Sequence, residues 1–361
     1  MAKKKVLVVD DSAFMRKLIS DFLSSHPKLE VIGIARNGKD ALRKIKQLKP
    51  DVLTMDVEMP EMNGLEALKL IMENNPLPVV MLSSTTKEGT ENTIEAMENG
   101  AIDFIAKPSG NISLDLHKVK DELIQKVLSA SHVQVSKLKQ PSSYENDLVI
   151  DGKLTMNEKH SSAYRSDRWR TTSKKIIVIG TSTGGPRALQ EVLTRLPADI
   201  HAPILIVQHM PPKFTKSLAT RLNRLCKIKV KEAEDGEILQ LGTAYIAPGD
   251  YHLKVKEIGG TVAVHLDKTP PRNGHRPAVD VLFESVSPLH FDKIAVVMTG
   301  MGSDGANGLV KLKREGNVRA IAESKDTSVV FGMPKSAIAT HLIDDVRPVN
   351  QIAKAILKYL P

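Results

Sequence analysis

One cysteine in 361 residues, Cys226, rules out an internal disulfide. Nothing in the chain therefore calls for an oxidising compartment, and a reducing cytoplasm is the expected location. Aromatic residues are scarce at 4%, which argues against a surface that stacks on bases. Long apolar runs are missing as well. After the basic start only Val6-Leu7-Val8-Val9 precedes Asp10 and Asp11, too short for a signal peptide, and no stretch approaches the roughly 20 apolar residues of a membrane span. No membrane insertion is expected. With 41% hydrophobic and 26% charged residues, the chain is neither disordered nor collagenous nor disulfide-rich. At roughly 100 to 200 residues per domain its length fits two domains better than one.

The formal charge of +9 is unevenly spread. Residues 1–120 balance 17 Lys+Arg against 17 Asp+Glu, whereas residues 173–361 carry 26 against 18. The basic half could favour an acidic partner, either nucleic acid or an acidic protein surface. A DNA-binding output is disfavoured, because such modules are short and helical whereas this half is long and reads as α/β.

From Lys3 to about Ala130 short apolar runs alternate with amphipathic segments. The runs are Val6–Val9, Leu29–Ala35, Val52–Met55, Val79–Leu82 and Asp103–Ala106. Five βα repeats predict a five-stranded, doubly wound parallel sheet. Periodicity fails between about Ser131 and Ser173, which reads as a linker. It resumes at Ile176–Ile179, with further strands at Ile204–Val207, Tyr245–Ile246, His252–Val255, Val262–Leu266, Ile294–Met298 and Val318–Ala322. The expectation is a second α/β domain with a mainly parallel sheet and a hairpin insertion. Cys226 is placed within an amphipathic helix as a packing residue.

Loops leaving the carboxyl ends of parallel strands converge on one edge, where ligands bind. The first predicted strand ends in Asp10-Asp11, the third in Asp56, the fourth in Ser83-Ser84 and the fifth in Lys107-Pro108. Any one Asp after a strand is more often a helix cap than a metal ligand. Three crowded carboxylates repel unless a hard cation such as Mg²⁺ sits among them, and a lysine and a hydroxyl nearby could hold a phosphoryl group. Val9-Asp10-Asp11-Ser12, the segment Met55 to Gly64 and Lys107-Pro108 together resemble a response-regulator receiver domain. The resemblance implies that Asp56 accepts phosphate and that Asp10, Asp11 and the Glu58 main-chain carbonyl join Asp56 around Mg²⁺. It further implies that Ser83 is the switch hydroxyl, that Lys107 contacts the phosphoryl group and that Phe104 is the switch aromatic; Phe104 reads equally well as core.

The second half opens with Gly180-Thr181-Ser182-Thr183-Gly184-Gly185-Pro186. This G-x-S-x-G spacing exposes a serine on a sharp strand-to-helix turn. A glycine-rich phosphate turn or a plain helix cap would use the same residues. Among eleven histidines, His209 follows the strand Ile204–Val207 and so reaches the same edge. His252, His265 and His290 lie within or before strands and read as core or surface. Asp304 follows the strand Ile294–Met298 and could orient the imidazole. The chain order Ser, His, Asp differs from that of the α/β-hydrolase fold, so membership of that fold is not implied. No metal-ligand spacing such as H-E-x-x-H occurs in this half.

These segments, with Arg272-Asn273-Gly274-His275-Arg276-Pro277 and the run to Phe283, resemble the catalytic domain of the chemotaxis protein-glutamate methylesterases. Receiver, linker and catalytic domain would occupy residues 1–125, 126–172 and 173–361. The resemblance implies a phosphorylation-activated serine hydrolase that removes methyl esters from chemoreceptor glutamates, releasing methanol, and deamidates receptor glutamines. Ser182, His209 and Asp304 would form the triad, the backbone N–H groups of Thr183 and Met301 would bind the oxyanion, and ester hydrolysis would need no cofactor. Methylated chemoreceptors would be the substrate and a chemotaxis histidine kinase the phosphodonor. Beside the DNA-binding output, a binding protein that has lost catalysis is a second rival reading, and detectable ester hydrolysis separates it from the hydrolase.

Overall fold

The apolar runs of the first half become strands because alternate side chains are swallowed by two different layers. In the computed structural model, which describes residues 2–107, 112–133, 135 and 174–360, Leu7 and Val9 enter one core cluster and Val6 and Val8 another on the opposite face. Burial on both faces is what a central parallel strand requires. The elements are β1 (Lys4–Val9), α1 (Ala13–Ser24), β2 (Leu29–Ala35), α2 (Gly38–Leu48), β3 (Val52–Asp56), α3 (Gly64–Asn74), β4 (Val79–Ser83), α4 (Lys87–Glu98), β5 (Asp103–Ala106) and α5 (Ile112–Ala130). The strands form one sheet in the order β2-β1-β3-β4-β5, and each pairing is parallel.

Short polar residues start the helices on cue: Ser12, Asn37 and Thr86 cap α1, α2 and α4, and Asn63 with Glu66 closes a capping box on α3. Helix α5 runs five residues past the boundary expected at residue 125, because Leu123, Ile124, Val127 and Ala130 all bury against the receiver sheet. Most of the expected linker, and Pro108, lie outside the described residues.

The second half contains β6 (Lys175–Thr181), α6 (Gly185–Leu193), β7 (Ile204–Gln208), α7 (Phe214–Leu225), β8 (Lys229–Glu232), β9 (Thr243–Ile246), β10 (His252–Ile258) and β11 (Thr261–Asp267). There follow α8 (Val279–Val286), β12 (Asp292–Val297), α9 (Ala306–Glu315), β13 (Val318–Glu323), α10 (Met333–Ala339), β14 (Asp345–Arg347) and α11 (Val349–Lys358). Seven strands pair in the order β14-β13-β12-β6-β7-β9-β8, and β10 with β11 makes the antiparallel hairpin. The seven-stranded sheet is parallel throughout. β6, which carries the serine turn, sits between β12 and β7, so Ser182, His209 and Asp304 leave adjacent strands.

Some elements escape sequence periodicity. β8 is a charged edge strand, Lys-Val-Lys-Glu, with one apolar side chain to read. α11 has Pro348 at its N-cap and no side-chain cap, yet it buries Ile352, Ala353 and Ile356 and packs against α6. Cys226 does not lie inside a helix: it is the C-cap of α7 with extended backbone, half-buried, and burial pushes its thiol up to about 11, consistent with a packing role. Among the described residues no helix is long and apolar enough to cross a membrane.

The first domain packs on the second through α4, which lies against α6 and α7. Phe104 stacks on Phe214 with ring centroids 4.5 Å apart. Arg221 grips Glu98 with two bonds of 2.8 Å, and the Thr90 and Ser217 hydroxyls meet at 2.8 Å.

Candidate active site

At the receiver edge the ligand atoms of Asp10, Asp11 and Asp56 lie within 4.8 Å of one another. Asp10 and Asp56 are buried, and Asp11 is exposed. Lys107 Nζ reaches across to Asp56 Oδ2 at 2.7 Å and Asp10 Oδ2 at 3.0 Å. Burial raises the Asp56 carboxyl to about 6, with Asp10 adding to the rise and Lys107 opposing it. Burial also works against the Lys107 ammonium, but the two carboxylates outweigh it and hold it above the ordinary lysine range. Glu58 donates its amide N–H to Asp56 Oδ1 at 3.4 Å, and its side chain accepts from Ser84 instead of joining the cluster. The donor set is three clustered carboxylates, two of them at hydrogen-bonding range of a lysine, which suits a hard cation and a phosphoryl group.

Ser83 spends its hydroxyl on the start of α4. Its hydroxyl lies 3.0 Å from the Gly89 carbonyl and accepts from Thr93 Oγ1 at 2.5 Å, so α4 holds it. Phe104 is buried and spends its ring on Phe214 of the other domain, which makes it both a packing residue and an interdomain contact.

In the second domain the serine turn is tied down by its backbone. Ser182 donates its N–H to Thr299 O at 3.0 Å, and its carbonyl accepts from Gly185 N at 2.8 Å and Gln208 Nε2 at 2.9 Å. A Cβ on Gly185 would fall 1.8 Å from Thr181 Oγ1 and 1.9 Å from Gln208 Oε1, so only glycine fits where α6 begins. The His209 side chain is only 6% exposed, and its Nε2–H donates to Asp304 Oδ2 at 2.8 Å. Among the described residues its buried Nδ1 has no hydrogen-bond partner. Its ring lies on that of His275, centroids 3.9 Å apart and planes 11° from parallel. Burial and the neighbouring His209 push His275 down to about 4, so it is neutral near pH 7.

Asp304 also accepts three backbone N–H groups, from Val279 at 2.7 Å, Asp280 at 2.9 Å and Gly305 at 3.1 Å. Burial opposes its charge, but His209 and these donors prevail and hold the carboxyl below the usual range. No hydrogen bond joins the Ser182 hydroxyl to His209 among the described residues. The N–H groups of Thr183 and Met301 likewise have no partner among them. Gly300, one residue before Met301, stands so close that a Cβ there would meet Ser182 Cβ at 2.8 Å. Two unspent donors thus flank the serine.

Sequence reasoning passed over Gln208, Thr299, Asp280 and His275 as site residues. Thr299 joins three segments: its N–H goes to Glu323, its hydroxyl donates to the Thr183 carbonyl and accepts the Val330 N–H, and its carbonyl takes the Ser182 N–H. The only available signal was position, since Gln208 adjoins His209 and Thr299 ends the strand leading to Asp304.

The receiver reaches this edge directly. Thr183 Oγ1 donates to Asp103 Oδ2 at 2.5 Å, and the Ser129 hydroxyl abuts the Met301 sulfur. Lys126 pairs with Asp103 at 3.1 Å.

A receiver fold with an acidic edge, packed on a parallel α/β domain with a serine turn beside a histidine–carboxylate pair, defines a response regulator with an enzymatic output. A family description of the response regulator receiver domain matches residues 6–118, and one of the CheB methylesterases matches residues 177–356. A protein-glutamate methylesterase/protein-glutamine glutaminase of Geobacillus kaustophilus is 59% identical, over 99% of this chain and 98% of that relative. That of Bacillus subtilis is 50% identical, over 98% and 97%. The crystal structure of the Thermotoga maritima CheB methylesterase catalytic domain is 48% identical with a TM-score of 0.51, covering 52% of this chain and all of that one. The chain belongs to the protein-glutamate methylesterase/protein-glutamine glutaminase family.

Proposed function

We propose that this chain hydrolyses glutamate methyl esters on chemotaxis receptors, releasing methanol, and deamidates receptor glutamines, with the receiver as its phosphorylation-controlled gate. The observation that carries the reading is the buried His209–Asp304 pair on the strand edge that also bears Ser182. Because Asp304 takes Nε2–H, Nδ1 is the ring nitrogen left to act as base. His209 Nδ1 takes the Ser182 proton as Oγ attacks the ester or amide carbon, closing to hydrogen-bond distance as substrate enters. The carbonyl electron pair moves onto oxygen, and the N–H groups of Thr183 and Met301 receive that oxyanion. Collapse expels methoxide or amide, which leaves as methanol or ammonia with the proton from His209. Water then attacks the acyl-enzyme with His209 again as base, freeing the glutamate and restoring Ser182.

In the receiver, Asp56 is the phosphate acceptor, and Asp10, Asp11 and Asp56 with the Glu58 carbonyl would hold Mg²⁺, which offsets the charge carried by phosphoryl and carboxylates. Lys107 and, once released from Thr93, Ser83 would bind the phosphoryl oxygens. A histidine kinase of the chemotaxis system is the phosphodonor, and no nucleic-acid partner is proposed.

The Asp56 carboxyl, raised to about 6 by burial, gives metal binding a pH dependence. Above that pH the acid is ionised; below it a proton must leave before the cation binds. Mg²⁺ affinity is therefore expected to be about tenfold weaker at pH 5 than at pH 7.5, read by calorimetric titration. An unchanged affinity would remove Asp56 from the ligand set.

The contacts of Asp103 with Thr183 and of Ser129 with Met301 put the receiver against the residues assigned to the oxyanion. This supports inhibition by occlusion, relieved when phosphorylation favours a different arrangement. Residues 173–361 alone should release methanol about tenfold faster than the unphosphorylated full chain, a modest population shift. Equal rates would discard occlusion and leave the chemistry standing.

A further inference from the structure

Two buried carboxylates, Asp280 and Asp304, exchange helix caps. Helix α8 begins after Ala278 and α9 after Gly305, and neither residue has a side chain that caps its own helix. Asp304, just before α9, accepts the first N–H groups of α8, those of Val279 and Asp280. Asp280, in the first turn of α8, accepts the N–H groups of Gly305 at 2.9 Å and Gly308 at 2.7 Å, at the start of α9. The two helices touch so closely that a Cβ on Gly308 would stand 2.9 Å from Asp280 Cα. Asp280 is fully buried, and its second oxygen accepts from Asn273 Nδ2 at 3.2 Å.

Burying two like charges side by side is costly unless their hydrogen bonds are needed. Among the described residues Asp280 makes no hydrogen bond to His209 or Ser182, so it acts through its neighbour. We propose that Asp280 is a positioning residue: by capping α9 it anchors the Gly305 turn and so aims Asp304 Oδ2 at His209 Nε2. The inference rests on the hydrolase reading above. Only Oδ1 of Asp280 serves the α9 cap, while Oδ2 serves Asn273. An asparagine can supply that one acceptor, and the Asn273 amide can turn to present its oxygen to the new NH₂. Asp280→Asn therefore preserves the cap, and Asp280→Ala removes it.

The test uses the full chain with a small-molecule phosphodonor and Mg²⁺. Asp280→Ala should lower kcat roughly ten- to hundredfold, the cost of a base pair misplaced by about an ångström, with KM within about twofold. Asp280→Asn should return kcat to within about threefold of the parent. If the alanine variant does not fold, Asp280→Ser is read in its place. A second readout is the far-downfield proton resonance of His209 Nε2–H on Asp304, assigned by its loss in Asp304→Ala. It should persist in the asparagine variant and vanish in the alanine or serine variant. Unchanged kcat and resonance in the alanine or serine variant, or an asparagine variant as impaired as alanine, would overturn the proposal. If the parent shows no turnover that depends on Ser182, the hydrolase reading fails, and the resonance alone decides the role of Asp280.

Discussion

Ser182→Ala is expected to lower methanol release from methylated chemoreceptor membranes by roughly a millionfold, to the background of the assay, as loss of the nucleophile does in serine proteases. The physical reason is that alanine has no oxygen to attack the ester, while His209, Asp304 and the flanking N–H donors can only polarise a carbonyl that nothing attacks. The side chain lost is one hydroxyl that makes no hydrogen bond among the described residues, so folding should be nearly unaffected. Asp56 lies in the other domain and should still take phosphate from a small-molecule donor. Parallel measurement with and without phosphodonor separates chemistry from control: release that disappears in the variant and rises with phosphodonor in the parent supports both. Substantial surviving release would remove Ser182 as nucleophile. Absence of release in the parent, with Asp56 phosphorylated, would leave the receiver standing and favour a binding output or another ester.

Asp304→Asn carries the next largest effect, a fall in kcat of about 10⁴-fold. Oδ1 of Asp304 accepts from Asp280 and Gly305, and Oδ2 accepts from Val279 and His209. Asparagine has one acceptor for these two sets. If its oxygen stays with Asp280 and Gly305, its NH₂ group faces His209 Nε2, and a favourable contact then requires the other tautomer, with the proton on Nδ1. That nitrogen can no longer take the serine proton. The Val279 N–H is left without an acceptor in a buried place, so stability should also fall by about 1–3 kcal/mol. Thermal unfolding of the variant alongside its kinetics tests both parts. Near-parental kcat would mean that Asp304 serves as a helix cap and not as the partner of the base.

Both predictions concern residues that are legible from sequence, since each follows an apolar run at the carboxyl end of a predicted strand. Parallel strands put their carboxyl ends on one edge, so the sequence brings Ser182, His209 and Asp304 to the same edge, as it does Asp10, Asp56 and Lys107, while it is the sheet order that makes β12, β6 and β7 neighbours. Capping residues are legible because they act locally: Ser12, Asn37, Asn63 and Thr86 each act on the amide three positions on.

Gln208, Thr299 and Asp280 were not legible, because their partners are backbone groups far along the chain. Asp280 caps a helix 25 to 28 residues onward, and Thr299 reaches Thr183 across 116 residues. No local spacing encodes such bonds. His275 could be read only as part of a motif, and its place on the His209 ring depends on how the segment after β11 crosses the sheet edge. The interdomain contacts were hidden for a further reason. Phe104 and Phe214 each look like ordinary core, and Asp103 and Thr183 like ordinary polar termini, until two domains are brought face to face.

The sequence by itself determined the two α/β domains, the family resemblance and the residues at the strand ends, because hydrophobic period, turn chemistry and short motifs are local properties of a chain. Only the tertiary structure decided which imidazole nitrogen remains open, which carboxylate supports which helix, and that the receiver lies against the strand edge that bears Ser182. Those outcomes depend on directions and distances between segments far apart in the chain, which packing sets and linear order does not record.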